Sequence, residues 1–499
     1  MLFSTFTFIL GFLPFVFFVY FSLIKKKYVL ASKLWLIFAS LFFYSWWNIY
    51  YLPLIVASVL FNYSLTNRML EAKETQFLNK KMLLLIGLVF NVGLLIYFKY
   101  MDFFITNINS LTQSEIALLH LALPLGISFY TLQQIAFVVD SYEGLVKKKD
   151  FFDYTLFVLF FPQLIAGPIV HYKEVMPQFA SLKGKVFNHA NIALGLFVFA
   201  LGLFKKVIIA DTFATWVHQG FDTDITLSLF DAWISSLSYT FQLYFDFSGY
   251  TDMAIGIALL FNIKLPQNFN SPLKATGMID YWKRWHITLT NFITSYIYTP
   301  IVRSFSKLTF HKAMFATVIV FLISGMWHGA GWTFIFWGFI HGSGVVINHY
   351  WQKKVKIKLP TVVAWFITFN FLNFGNVFFR APDFDRAVSI LKSMFDTDYI
   401  LVADTLIRRM RYWEYPKEFI AKFDAYKAAH SFVDIDAVLM VLVGFVMALA
   451  FKNSHQLSVR FSQNKHVSVL WYVWSVILMA LSFMVMSFQT STEFLYFNF

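Results

Sequence analysis

The feature that most constrains this chain is a succession of long apolar runs separated by short polar loops. A bilayer core about 30 Å thick is crossed by about 20 apolar residues in a helix. Runs of this kind lie near residues 3–24, 31–47, 52–66, 82–100, 124–141, 151–170, 190–216, 228–262, 312–325, 330–350, 360–379, 435–451 and 467–488. Several are short or interrupted, so roughly 10 to 12 crossings are expected, with re-entrant pieces between them. The composition agrees: 13% of residues are charged, against roughly 25% in soluble domains, and mean hydropathy is +0.62. The expected fold is an all-α polytopic membrane protein, with residues 1–499 as one membrane domain. A membrane bundle need not divide into domains, because each helix already satisfies its own backbone.

Lys and Arg set the expected orientation. They cluster at Lys25–Lys27, from Arg68 to Lys81 and at Lys147–Lys149, whereas the linkers around Trp46–Tyr51 and Asp102–Ser114 carry none. The positive-inside rule puts the clusters in the cytoplasm and the N-terminus outside. The first run, residues 2–23, has no basic region before it and no small-residue cleavage pattern after it. It reads as a retained helix rather than a secretory signal. The net charge of +13 then meets anionic headgroups, and membrane lipids, not nucleic acid, are the expected polyanions. The chain contains no Cys, which excludes disulfides, thiolate nucleophiles and Cys-ligated metals.

Two regions depart from the simple pattern. Residues 263–311 mix Lys, Arg, His and Pro with aromatics. They are too polar to face lipid and too apolar for a free loop, so short or re-entrant helices buried in protein are expected there. Residues 383–434 form the longest polar stretch and read as interfacial amphipathic helices plus a loop.

Ionisable groups inside a membrane are costly, and so point to function. His328 stands out in Ser324-Gly325-Met326-Trp327-His328-Gly329-Ala330-Gly331-Trp332, between two apolar runs. Flanking glycines permit a helix break beside it, which would turn the imidazole toward a cavity; packing against a neighbouring helix is the other reading. His286 closes Tyr281-Trp282-Lys283-Arg284-Trp285-His286. If that stretch is helical, Trp282 and His286 share a face. It then either carries a second catalytic histidine and two cations for a phosphate-bearing donor, or is an aromatic belt at the interface. Asp246 and Asp252 lie in an otherwise apolar run and need partners; Asp246 could pair with Arg284 or orient a histidine. Ser248 lacks a Gly-x-Ser-x-Gly elbow. His341 and His349 follow His328, and on a straight helix His341 and His328 project differently. No metal-ligand spacing, phosphate-binding loop or dinucleotide fingerprint appears, so no metal and no bound cofactor are expected.

Taken together the segments resemble the membrane-bound O-acyltransferase (MBOAT) family. They are most similar to its bacterial branch, which holds the alginate and peptidoglycan O-acetylation membrane subunits. The stretches that carry the resemblance, in order, are Leu41–Trp47, Pro124–Thr131, Phe161–Ile169, Phe245–Ala254, Tyr281–His286 and Met326–Trp332, with the tail Phe494–Phe499. The resemblance implies that His328 is the family's essential histidine and His286 its second histidine. It implies a ring of helices around a central tunnel, with acetyl-CoA entering from the cytoplasm as acyl donor. Candidate substrate contacts are Lys283, Arg284, Trp282 and Trp327, supported by Asp246 and Gln133. The implied acceptor is a cell-surface polysaccharide or peptidoglycan, reached through a periplasmic or membrane-anchored acetyltransferase partner, and the implied location is the inner membrane. D-alanyl transfer to teichoic acid, or a glycan or lipid transporter without acyl chemistry, are the alternatives. After Tyr298 the chain reads Thr299-Pro300-Ile301-Val302, where alginate-type members continue with a Pro-Leu-Gly-Gly-Asn-like turn, which argues against alginate itself.

Overall fold

The computed structural model describes residues 1–72, 78–146, 150–181, 186–424, 426–428, 431–463, 469–488 and 494–495. The Lys147–Lys149 cluster, part of the Arg68–Lys81 cluster and most of the tail after Phe494 lie outside the described residues. What is described is almost entirely helical; the exception is a two-residue parallel pairing of Val402–Ala403 with Lys427–Ala428.

Among the described residues, seven helices are long and apolar enough to cross a bilayer: Thr7–Lys25, Ile49–Glu71, Lys80–Thr112, His189–Phe221, Phe310–His328, Thr361–Arg380 and Val469–Phe488. An eighth span forms if Ile435–Leu449 and Ser454–Gln463, bent by 50°, count together. Further helices that roughly 10 to 12 crossings would draw on are Val29–Ser45, which is short, and Leu229–Leu260 and Trp332–Tyr350, which carry ionisable groups. The chain is a polytopic all-α membrane protein.

Leu229–Leu260 is the central helix, and nearly every one of its residues is buried. It starts at a capping box: the Ser228 hydroxyl accepts from Asp231 N–H, and the Asp231 carboxylate accepts from Ser228 N–H, satisfying two otherwise orphaned donors. Its neighbour His189–Phe204 approaches through facing glycines. A Cβ on Gly195 would lie 2.7 Å from the Gly256 carbonyl oxygen, and one on Gly202 would lie 2.5 Å from that of Gly249. Small residues let backbones meet in lipid, where no hydrophobic force drives helices together.

Asp246 and Asp252 of the central helix are tolerated because cations meet them. Lys206 Nζ lies 2.7 Å from Asp246 Oδ1 and 2.8 Å from Asp211 Oδ1, and Lys205 Nζ lies 2.7 Å from Asp252 Oδ2. Asp246 therefore pairs with Lys206, not with Arg284, whose Nε holds Asp280 Oδ1 at 2.7 Å. The Lys205–Lys206 pair sits inside an apolar run, and a buried carboxylate takes the cation that shares its burial.

Residues 263–311 fold as a chain of short helical pieces: Pro272–Lys274, Met278–Trp282, Ile287–Ile293, Thr294–Tyr298 and Thr299–Arg303. The 383–434 stretch holds Phe384–Ser393, Asp404–Tyr412 and Lys417–Asp424. These are tied by Lys427 to Asp404 at 2.7 Å, Arg411 to Asp424 at 2.9 Å and Arg409 to Asp436 at 2.8 Å.

Candidate active site

The Phe310–His328 helix ends on His328 itself, and Gly329 is its C-cap in an extended conformation. The chain reverses through Gly329–Gly331 and returns as Trp332–Tyr350. The two helices press together at glycines: a Cβ on Gly325 would lie 2.3 Å from the Phe334 carbonyl oxygen, and one on Gly338 would lie 2.4 Å from that of Phe321.

The last carbonyls of a helix have no partner within it. Two residues of the Lys80–Thr112 helix fill that need. Tyr100 OH donates to the Met326 carbonyl, and Lys99 Nζ donates to the carbonyls of Trp327 (2.5 Å) and His328 (2.8 Å). Three successive carbonyls are thus capped, and the His328 backbone is fixed.

The His328 ring is buried among the rings of Trp327, Trp337 and Phe379, at centroid distances of 4.9, 5.2 and 5.2 Å. It also lines a cavity of about 550 Å³. Leu123–Phe129, Trp46, Trp47, Thr5, Thr7, Lys99 and Trp327 form much of the remaining wall.

His286 reaches the same centre from the other side of the Trp327 indole, with centroids 6.4 Å apart. Its backbone is left-handed, at φ 44° and ψ 51°. That conformation costs a residue with a Cβ of order 1–3 kcal/mol and persists where surrounding structure enforces it, most often at functional sites. Phe247 packs edge-on at 4.7 Å, Phe129 stacks at 6.5 Å, and Nδ1 meets Asn268 Oδ1 at 3.2 Å. Asn268 Oδ1 also accepts from Thr288 Oγ1 at 2.9 Å. Asn268 thereby sets the ring's orientation and selects the tautomer whose proton is on Nδ1.

The helix Met278–Trp282 stops at Trp282, so Trp282 and His286 do not share a helical face. Instead the Trp282 ring packs on His341 (5.5 Å) and Trp337 (6.0 Å). His341 lies 4.5 Å from Trp337, which also packs against His328. The reversal at Gly329–Gly331 brings His341 back to the cluster, contrary to the straight-helix reading. Among the described residues neither ring nitrogen of His341 has a hydrogen-bond partner, although the side chain is buried. His286, His328 and His341 thus alternate with Trp327, Trp337 and Trp282.

The other expected contacts lie further out. Lys283 is exposed and sits with Trp282 and His349 on a second, mainly apolar cavity of about 320 Å³. Arg284 is held by Asp280 and reaches the Asn270 carbonyl at 3.4 Å. Asp246 is engaged by Lys206 and by Leu495 N–H at 3.0 Å; the adjacent Phe247 is the residue of that run that touches His286. Gln133 is buried one turn beyond Phe129 on the Ile127–Tyr142 helix, and among the described residues its amide has no hydrogen-bond partner.

Comparison with known proteins gives the family. The model of the MBOAT, membrane-bound O-acyltransferase family, matches residues 17–380. The chain is 42% identical to the peptidoglycan O-acetyltransferase of Helicobacter pylori, over 100% of this chain and 98% of that one. It is 35% identical to the probable alginate O-acetylase AlgI of Pseudomonas aeruginosa, over 79% of this chain and 75% of that one. It is 27% identical to the teichoic acid D-alanyltransferase of Bacillus subtilis, over 52% and 69% of the two chains. A histidine-centred cavity in a helical bundle, with relatives of this kind, defines a membrane-embedded acyltransferase. The chain belongs to the membrane-bound O-acyltransferase family.

Proposed function

We propose that this protein is an O-acetyltransferase of the inner membrane that carries acetyl groups from cytoplasmic acetyl-CoA toward peptidoglycan, through a periplasmic or membrane-anchored partner. The observation that carries the reading is His328 at a helix end, in the wall of an open cavity. A second cavity at the far end of one helix supports it. The Ile127–Tyr142 helix begins at the His328 cavity and ends at another of about 570 Å³, lined by Asp140, His171, Thr288, Tyr296 and Arg303. Sixteen residues span about 24 Å as a helix. Thr288, in the wall of that far cavity, is bonded to the Asn268 that holds His286. The loops at the His328 cavity lack Lys and Arg, which supports placing it outside with the N-terminus.

In the reaction, His328 takes the proton of an attacking hydroxyl as its oxygen bonds to the thioester carbonyl carbon. The carbon–sulfur bond breaks, and the CoA thiolate leaves and is protonated. General-base help of this kind is worth about 10²–10⁴-fold. A thioester is already activated, so the step needs no nucleotide hydrolysis. Peptidoglycan is favoured by the full-length similarity to the Helicobacter pylori enzyme.

The test uses purified protein in lipid nanodiscs with acetyl-labelled acetyl-CoA. The intact protein should hydrolyse or transfer the label. His328→Ala should lose at least about 10²-fold while eluting as a folded monodisperse species. Full turnover by that variant, or no label release by the intact protein, would overturn the reading and leave transport as the rival. Loss of acetyl esters from wall glycan in a deletion strain would identify the acceptor.

A further inference from the structure

The cavity of about 320 Å³ beside Trp282 plays no part in the chemistry proposed at His328. Its apolar wall comes from Leu289 and Ile293 of the short helical pieces, Val320 and Phe321 of the Phe310–His328 helix and Val345 of the Trp332–Tyr350 helix. The hydroxyls of Thr294 and Thr317 in that wall turn back to their own helices, donating to the Thr290 and Ala313 carbonyls. On the side of the histidines the Trp282 ring packs against Trp337 and His341, and Trp337 in turn packs against His328. An occupant is thus separated from His328 by two indoles.

An apolar cavity of about 150 Å³ already stays dry and admits benzene, and this one has about twice that volume. Only 33% of the apolar window of Phe310–His328 is buried, so the flank of that helix is a surface that lipid chains reach.

The mouth carries charge of one sign. Lys283 and His349 line the cavity, and no Asp or Glu does among the described walls. Lys283 is exposed, and the neighbouring Asp280 is held by Arg284. The segments that join the helices at this end, 304–309 and 351–360, add Lys307, Lys353, Lys354, Lys356 and Lys358. Lys353 Nζ stands over the Phe310 ring, 4.4 Å from its centroid, which brings the two segments together. From Tyr281 to Pro382 the chain holds no Asp or Glu. Basic pockets between membrane helices suit phospholipid headgroups.

Trp282 adds a polar group of its own. Its buried indole N–H has no hydrogen-bond partner among the described residues, and an unsatisfied buried donor is costly. In a phospholipid the ester carbonyls lie just below the phosphate, as Trp282 lies next to Lys283 in the chain.

We propose that this cavity binds an anionic phospholipid, with one acyl chain against Ile293, Val320 and Val345 and the phosphate at Lys283. A neutral lipid would leave the cations unpaired, and a soluble phosphate compound would leave the apolar space empty. The site stands apart from the acyl-transfer reading, because its test needs neither donor nor turnover.

Full-length protein in detergent micelles is incubated with equimolar phosphatidylglycerol and phosphatidylcholine of identical chains, and bound lipid is read by native mass spectrometry. The first lipid bound should be phosphatidylglycerol, by at least about fivefold, the worth of one cation at an anionic membrane surface. Lys283→Gln should erase most of that preference. Val320→Phe, which fills the cavity and leaves every cation in place, should lose the tightly held lipid. Equal retention of the two lipids by the intact protein overturns the proposal. So does an undiminished preference in a folded Lys283→Gln protein, or an unchanged first lipid in a folded Val320→Phe protein. Displacement of the lipid by free CoA would give the cavity to the donor and overturn it as well. The intact-protein comparison decides the matter even if a variant does not fold.

Discussion

Replacing Lys206 by Met tests whether Asp246 serves structure or substrate. The Lys206 side chain is 4% exposed, and the Asp246 and Asp211 side chains it holds are 1% and 7% exposed. Met keeps the length of the chain and removes the charge. The variant leaves two carboxylates in a desolvated site without the cation that both approach within 3 Å. Breaking a buried ion pair from one side costs about 3–5 kcal/mol, or about two to four decades in the folding equilibrium. Asp246→Asn should cost less, about 1–2 kcal/mol, because Lys206 keeps Asp211 and the amide still accepts from Leu495 N–H. Unfolding of purified protein in mixed micelles, followed by tryptophan fluorescence, should rank the proteins intact, Asp246→Asn, Lys206→Met in falling stability. Adding Asp246→Asn to Lys206→Met should recover part of the loss, since one unpaired charge is removed. A Lys206→Met protein as stable as the parent would refute the reasoning. So would a fully stable Asp246→Asn protein without turnover, which would make Asp246 a substrate residue.

Other consequences are equally direct. A Cβ on Gly329 would lie 2.2 Å from the Phe334 ring, so Gly329→Ala should shift the His328 turn and cost about 1–3 kcal/mol; label transfer should fall while Phe334→Leu in the same chain restores it. Asn268→Ala removes the acceptor at His286 Nδ1, at a cost of about 1–2 kcal/mol; turnover should drop about tenfold, read as kcat with donor KM little changed. The Asp404 carboxyl is held below its ordinary range, first by its hydrogen bond to Lys427 and then by that to Arg408. Its pairing therefore stabilises the Asp404–Tyr412 region above the unfolded value of about 3.9 and is lost as pH falls through the lowered folded value; hydrogen-exchange protection factors in that helix, taken relative to intrinsic rates, should be flat from pH 5 to 7 and fall below pH 4.

Much of this was legible because lipid is a demanding solvent. Long apolar runs can only be helices there, and glycines on both sides of one histidine in such a run mark a break. Both readings need only local chemistry. What could not be read locally was direction after the break. His341 projects away from His328 on a straight helix, yet the Gly329–Gly331 reversal sets both rings against Trp337. Trp282 and His286 were separated for the opposite reason: the helix stops at Trp282 and His286 adopts a left-handed backbone. Nothing in the sequence singles out Lys99, which stands at the end of the 82–100 run. Its role depends on a carbonyl more than two hundred positions away, which no window of sequence displays. The sequence offered Asp246 either Arg284 or a histidine, whereas its partner is Lys206, inside the 190–216 apolar run, because the packing of two helices sets that distance.

The helix end that sets His328 in the cavity wall also determines what surrounds it. The last carbonyls of a helix have no partner within it, and a neighbouring helix can supply the donors. Tyr100 caps Met326, and Lys99 caps both Trp327 and His328, which the three donors of an amine head group allow and a single hydroxyl does not. The cap therefore ties the Lys80–Thr112 helix to the His328 turn. Lys99→Gln should loosen that turn and lower label transfer, whereas Lys99→Arg, which keeps several donors, should retain most of it. A folded Lys99→Gln protein with full transfer would mean that the cap does not hold the His328 backbone in its working position.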